Sequence, residues 1–204
     1  MARPRQISDH QILEAARACF LEHGPSVSTT VIADQLGVSQ AALFKRFGTK
    51  DELLVAALRP GPEQLDALLA WIDAGPAPGP IRPQIIDLAQ RLRDRFAEFL
   101  PRMAVLRTAG LQRPSGCGEH DPHRELPPVR LQRAVTAWLE RAQGSGSLSP
   151  ADAGAMAYAI LGAVHLQSFL TFMAGADAQA ASDESLDALV ASLWRGLQPR
   201  EETP

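Results

Sequence analysis

The chain has 204 residues, 46% hydrophobic and 21% charged, enough for a small domain of about 50 residues beside a larger one. A formal net charge of -3 and a pI near 5.9 exclude a polycationic nucleic-acid tail. The two cysteines, Cys19 and Cys117, exclude a disulfide framework.

Charge is unevenly placed: residues 1–59 hold seven Lys or Arg against six acids, the remainder 13 against 17, and both lysines, Lys45 and Lys50, lie in the first part. The opening Met-Ala-Arg-Pro-Arg leads into a charged amphipathic stretch without the apolar centre of an export signal, which predicts a cytoplasmic protein. Ser8-Asp9-His10-Gln11 has the form of a capping box, and Ile12, Leu13, Ala16, Phe20 and Leu21 then follow a helical period up to Gly24. After Gly24-Pro25, Ser28 or Thr29 can cap a second helix with Val31, Ile32 and Leu36 inward. Gly37 permits the left-handed bend that ends it, Val38 plugs the turn, and Ser39 caps a third helix with Leu43 and Phe47 inward. Two short helices joined by a sharp turn over one small core form a DNA-reading geometry. Thr49-Lys50-Asp51-Glu52 is another capping box, and Leu53, Leu54, Ala57 and Leu58 begin a fourth helix without a linker.

Arg59-Pro60-Gly61-Pro62 must break or kink that helix. Leu65, Leu68, Leu69 and Ile72 resume the helical period, and the segment from Ala74 to Pro80 is a stiff connector. Ile85, Leu88, Leu92, Phe96 and Phe99 predict a helix ending near Pro101, with Met103, Leu106 and Leu111 in a short successor. Residues 112–127 are rich in Pro, Gly, His and acids and predict a loop. Its Cys117, Glu119, His120, Asp121 and His123 are possible metal ligands, but no second spaced pair on a rigid element accompanies them, so no metal site is expected.

Leu131, Ala134, Val135, Trp138 and Leu139 mark another helix, closed by Gly144-Ser145-Gly146-Ser147. Ala153 to Ala176 contains no Asp, Glu, Lys or Arg and has the length of a bilayer span. His165, Gln167, Ser168 and Thr171 interrupt it, and Ser149-Pro150-Ala151-Asp152 caps it, which predicts a buried helix and no membrane partner. Tyr158, Leu161, His165, Phe169 and Phe172 cluster on one side of its wheel, opposite Ala159, Ala163, Val164, Gln167 and Leu170. A helix apolar all round needs cover all round, and Ala155, Ala159 and Ala163 allow close approach of a second helix. A last helix, capped by Ser182, presents Leu186, Leu189, Val190, Leu193, Trp194 and Leu197. No strand pattern emerges, so the fold is expected to be all-α. No phosphate loop, Ser-His-Asp arrangement or paired-carboxylate motif occurs, so neither enzyme nor cofactor is expected.

Residues 8–54 resemble the N-terminal domain of the TetR family of bacterial transcriptional regulators. The likeness lies in Thr29-Thr30-Val31-Ile32-Ala33, Leu36-Gly37-Val38-Ser39, Leu43 and Phe44 followed by Phe47, and Thr49-Lys50-Asp51-Glu52-Leu53. It implies a three-helix DNA-binding domain over residues 1–50 and a helical effector-binding and dimerisation bundle over 51–204, the last two helices pairing across a two-fold axis. The partners implied are double-stranded operator DNA, a second copy of the chain and a small apolar or amphipathic effector, and the implied role is a repressor. By position, Thr29 and Thr30 fall to phosphate or base edges and Lys50 to phosphate. In the third helix, with Ser39 at its start, the groove candidates are Gln40, Ala41, Ala42, Phe44, Lys45 and Arg46. Gln40 can pair with adenine, Lys45 or Arg46 with guanine or phosphate, and Ala42 with a thymine methyl. The family often has Gly at the place of Ala41, Thr near Ala42 and Tyr at Phe44, and Phe44 lacks the hydroxyl that a Tyr offers to phosphate.

For an effector, the expected lining comprises Phe96, Phe99, Met103, Leu106 and Trp138, with Tyr158, Phe169 and Phe172 from the uncharged helix. Arg107 and His165 are the candidate polar anchors. Two other readings share these residues: a DNA-bound regulator without a small-molecule ligand, and an all-α binding protein or enzyme with a vestigial helix-turn-helix.

Overall fold

The computed structural model describes residues 7–59, 62–111 and 126–175, together with Ala188 and Ala191. The order is α1 (Asp9–His23), α2 (Thr29–Leu36), α3 (Gln40–Phe47), α4 (Lys50–Leu58), α5 (Pro62–Asp73), α6 (Ile81–Thr108), α7 (Pro127–Gly144) and α8 (Ala153–Ala174), with no strand among the described residues. The chain divides into two units, the first made of Met1–Pro60 and Pro101–Glu119, the second of Gly61–Leu100 and His120–Pro204.

In the first unit α1 to α4 close around Ile12, Ala16, Phe20, Ile32, Leu43, Leu53, Leu54 and Leu58, with Leu106 from the end of α6. Each such large side chain contributes about 1.5–3 kcal/mol on burial. Four side-chain caps define the helix starts. Ser8 and Gln11 form a reciprocal box, as do Thr49 and Glu52, while Ser28 accepts from Thr30 and Ser39 from Ala42. Arg17 Nε donates to the Ala57 carbonyl at 2.9 Å, tying α1 to the last turns of α4. Two expected core positions face solvent: Val31 and Leu21 are exposed. Ile32 and Ala33 fill α2's inner face together with Thr29, so the stripe is set by the first residue of the helix and its next turn.

The second unit is built on α5, α7, α8 and the first five turns of α6, around Ile72, Leu88, Leu92, Val135, Trp138, Leu139 and Ile160. Arg141 Nη2 donates to the Ile72 carbonyl at 2.9 Å and Arg130 pairs with Asp66 at 2.9 Å, both fastening α7 to α5. At the end of α5 Gly75 has φ 82, a left-handed conformation that favours glycine, and a Cβ there would lie 2.8 Å from Arg141 Nε, so the arginine side chain would have to shift.

Three boundaries differ from the sequence expectation. The helix expected to stop near Pro101 runs on to Thr108 with the proline inside it. Proline removes one amide and crowds one carbonyl, and here Leu92 on one side and Leu106 on the other are each held in a core, which offsets that loss. Asp152 caps α8, its carboxylate accepting from Ala155, so the helix starts three residues after Pro150. Helix α7 opens at Pro127 with Pro128 behind it, prolines that suit a first turn whose amides lack intrahelical partners.

Within the single chain α8 is covered on one stripe only. Ala153, Ala157, Ile160, Val164 and Ser168 form its covered stripe, while Tyr158 is 68% and Met173 66% exposed, beside exposed Leu166 and Leu170. One packed neighbour covers one stripe of a helix, and α8 is apolar on the others too. By length and composition alone it is also long and apolar enough to cross a membrane. The expected last helix lies outside the described residues, apart from Ala188 and Ala191, both helical.

Candidate nucleic-acid interface

The turn between α2 and α3 is fixed by backbone chemistry. Gly37 sits at φ 66 and ψ 32, and its N–H donates to the carbonyls of Ala33 and Asp34. Val38 N–H returns to the Ala33 carbonyl at 3.0 Å, and the Val38 side chain packs against the first unit's core. These bonds satisfy the last carbonyls of α2 and turn the chain sharply. Ser39 then accepts from the Ala42 amide at 3.2 Å and starts α3.

Leu43 is the one fully buried residue of α3, supported by half-buried Phe47. Everything else on the helix is exposed: Gln40, Ala41, Ala42, Phe44, Lys45 and Arg46. An eight-residue helix held by one buried stripe leaves the rest of its surface free to enter a groove. Lys45 takes part in no ion pair or hydrogen bond among the described residues. Lys50 is half-buried at the start of α4. The two hydrogen bonds from Thr49, first from its amide and then from its hydroxyl, hold the neighbouring Glu52 carboxyl below its ordinary range.

Four of the expected contact residues, Thr29, Thr30, Gln40 and Arg46, are already engaged. Thr29 is buried, and its hydroxyl accepts a short hydrogen bond from Gln40 Nε2; Thr30 accepts from the same nitrogen at 3.3 Å. Thr29 therefore stands behind Gln40, because it is the inward residue of the first turn of α2. Arg46 Nη1 donates to the Ile7 carbonyl and to Asp9 Oδ1, the latter at 3.2 Å. Nothing in the sequence spacing signals this bond, which spans 39 and 37 residues.

The residues expected around an effector divide between the units. Leu106 belongs to the first unit's core, half-buried Met103 packs against it, and Arg107 is exposed in the last turn of α6. In the second unit Trp138 is core, Phe96 packs on that core, and the Phe96 and His165 rings meet edge to face with centroids 5.1 Å apart. Tyr158, Phe169 and Phe172 are exposed on α8. Arg95 and Gln167 were not among the expected residues. The Arg95 guanidinium lies 5.3 Å from the Phe99 ring centre, and Arg95 Nη1 and Gln167 Oε1 are buried polar atoms. The spacing of Arg95 and Phe99, four apart on one helix face, is a signal that sequence reading can use. Cys117, Glu119, His120, Asp121 and His123 lie outside the described residues.

Residues 12–57 match the family described as bacterial regulatory proteins of the tetR family. The chain is 36% identical over 72 residues to the HTH-type transcriptional repressor Rv1474c of Mycobacterium tuberculosis, covering 32% of this chain and 38% of that protein. It is 42% identical over 53 residues to the HTH-type transcriptional repressor AcnR of Corynebacterium efficiens, covering 26% and 28%. The chain thus spans well under half the length of these curated relatives in the matched region. Among solved structures, the TetR transcriptional regulator SCO0520 from Streptomyces coelicolor aligns with 95% of this chain and 100% of its own at TM-score 0.57 and 24% identity. SmeT in its complex with triclosan aligns with 95% and 92% at TM-score 0.59 and 17% identity. These structural likenesses establish a shared fold.

Proposed function

We propose, from the match of residues 12–57 to the tetR family, that this chain is a TetR-family regulator, a cytoplasmic, homodimeric repressor released from a palindromic operator by a small apolar or amphipathic effector. The observation that carries the reading is the exposed face of α3. Ala41, Ala42, Phe44 and Lys45 are exposed on a helix anchored by Leu43, with exposed Gln40 held by Thr29 and Thr30 at its start, inside the matched segment. In the groove Lys45 meets phosphate or guanine, Gln40 a base edge, and Ala42 a thymine methyl. Phe44 stacks against sugar, and Thr30 and Lys50 contact the backbone. Thr29 and Ser39 support these from behind, one through Gln40 and the other as the cap of α3.

Dimerisation is supported by the uncovered apolar face of α8, where Tyr158, Leu166, Leu170 and Met173 are exposed. A two-fold pair of chains covers that face and presents two α3 helices to successive major grooves about 34–36 Å apart. The effector reading is supported by aromatic and polar side chains of the second unit. Phe96, Phe99 and His165 supply apolar and ring surface, and Arg95 with Gln167 adds polar tips. An effector that favours a state with different head spacing lowers operator affinity by linkage.

The test is selection of bound genomic fragments by the purified chain, followed by sedimentation of the complex. The expected result is paired, inverted half-sites about one helical turn apart with two chains per site. Binding that remains non-selective at low salt overturns the reading.

A further inference from the structure

We infer that Arg46 is a positioning residue: it braces α3 against the start of α1 and so sets the angle at which the helix meets DNA, without itself touching base or phosphate. The inference rests on the DNA-binding reading above. Arg46 Nη1 carries two hydrogens, and each has an acceptor, the Ile7 carbonyl and Asp9 Oδ1. Ile7 precedes Ser8, the cap of α1, so its carbonyl lies outside the helix's own hydrogen-bond ladder, and the Ile7 side chain packs against the first unit's core. The carbonyl is thus a fixed point. A cation beside a helix N-terminus is opposed by the positive end of the peptide dipoles. The acid in the first turn, Asp9, offsets this, which makes the pair specific to this end of α1.

The need for a brace follows from how little holds α3. Leu43 and Phe47 lie on one stripe, four residues apart, and a helix resting on a single stripe can roll about it. Two side-chain attachments resist that roll, one at each end. Gln40 bonds Thr29 and Thr30 of α2, and Arg46 bonds the start of α1. Between them lies the face that reads, with Lys45 as its unpaired cation among the described residues.

The test uses the full chain as Arg46→Ala, Asp9→Ala and the double variant, with a duplex isolated by selection and a scrambled duplex of equal length. The ratio of the two affinities cancels any uniform effect of changed charge. Each single variant is expected to lower that ratio about threefold to tenfold, and the double variant no further, as for two members of one contact. The salt dependence of Arg46→Ala binding should match the parent. A salt slope reduced by about 0.9 in Arg46→Ala marks a phosphate contact and overturns the inference. An unchanged ratio in Asp9→Ala overturns it as well. Proton exchange of the Arg46 guanidinium, followed by NMR without DNA, should quicken in Asp9→Ala; no change there refutes the brace itself. Loss of selective binding by the parent chain instead removes the functional reading, and the positioning role with it.

Discussion

The two regions of the molecule hold their helices by different means. In residues 7–59 the helices α2, α3 and α4 have eight, eight and nine residues, and each begins at a side-chain cap. Helices below about 12–15 residues are marginal alone, so these depend on local hydrogen bonds as well as on the Leu43 and Ile32 core. In the second unit α7 and α8 have 18 and 22 residues, and α7 starts without any side-chain cap. Length and burial around Trp138 count for more there, although α8 also starts at a cap, Asp152. The lesson is that the short reading helices are specified residue by residue, whereas the long ones are specified by what they pack against.

The largest expected effect tests the burial half of that contrast. Trp138→Ala removes a side chain that is 1% exposed at the centre of the second unit and should cost about 3–5 kcal/mol in urea denaturation followed by circular dichroism. A loss below about 1 kcal/mol would mean that α7 and α8 do not rest on this core. The capping half is sharpened by Ser39→Ala, expected to cost about 1 kcal/mol, against Asp152→Ala, which should cost less because α8 is 22 residues long. Equal losses in the two variants would erase the distinction.

Lys45→Ala separates reading from folding within the first region. It should lower the salt slope of DNA binding by about 0.9 and move stability by less than about 0.5 kcal/mol, as for an exposed side chain without partners. A fall in melting temperature comparable to that of Ser39→Ala would show that Lys45 supports the fold. The smallest effect concerns Glu52. Its carboxyl is held below its ordinary value of 4.5 by Thr49, so its contribution to stability is full above that pH and is lost as pH falls through the lowered folded value. Stability of Glu52→Gln measured against pH should therefore be flatter than the parent's below 4.5 and parallel to it above. Parallel curves throughout would show that the capping box lends the carboxylate nothing.

The caps at Ser8, Ser39 and Thr49, the bend at Gly37 and the inward Leu43 were all legible in the sequence, because each is a contact among residues at most a few positions apart. The break at Arg59 was legible for the same reason, Arg59 being extended and α5 starting at Pro62. The outward turn of Val31 was not legible, because periodicity alone does not say which of two adjacent apolar residues turns inward, and Thr29 is the residue that joins Ile32 and Ala33 in the core. Pro101 does not stop α6, because a proline's local cost is outweighed by packing on either side of it.

The amino-acid order by itself determined an all-helical chain, four short helices with their caps, and the turn that presents α3, since these arise from local hydrogen bonds and helical spacing. Only the tertiary structure decided that Gln40 is held by Thr29, that Arg46 reaches back to Ile7 and Asp9, and that α8 keeps one apolar face covered and another bare. Such facts depend on which distant surfaces meet, and that is set by the summed burial of a core to which no single segment contributes enough to be read alone.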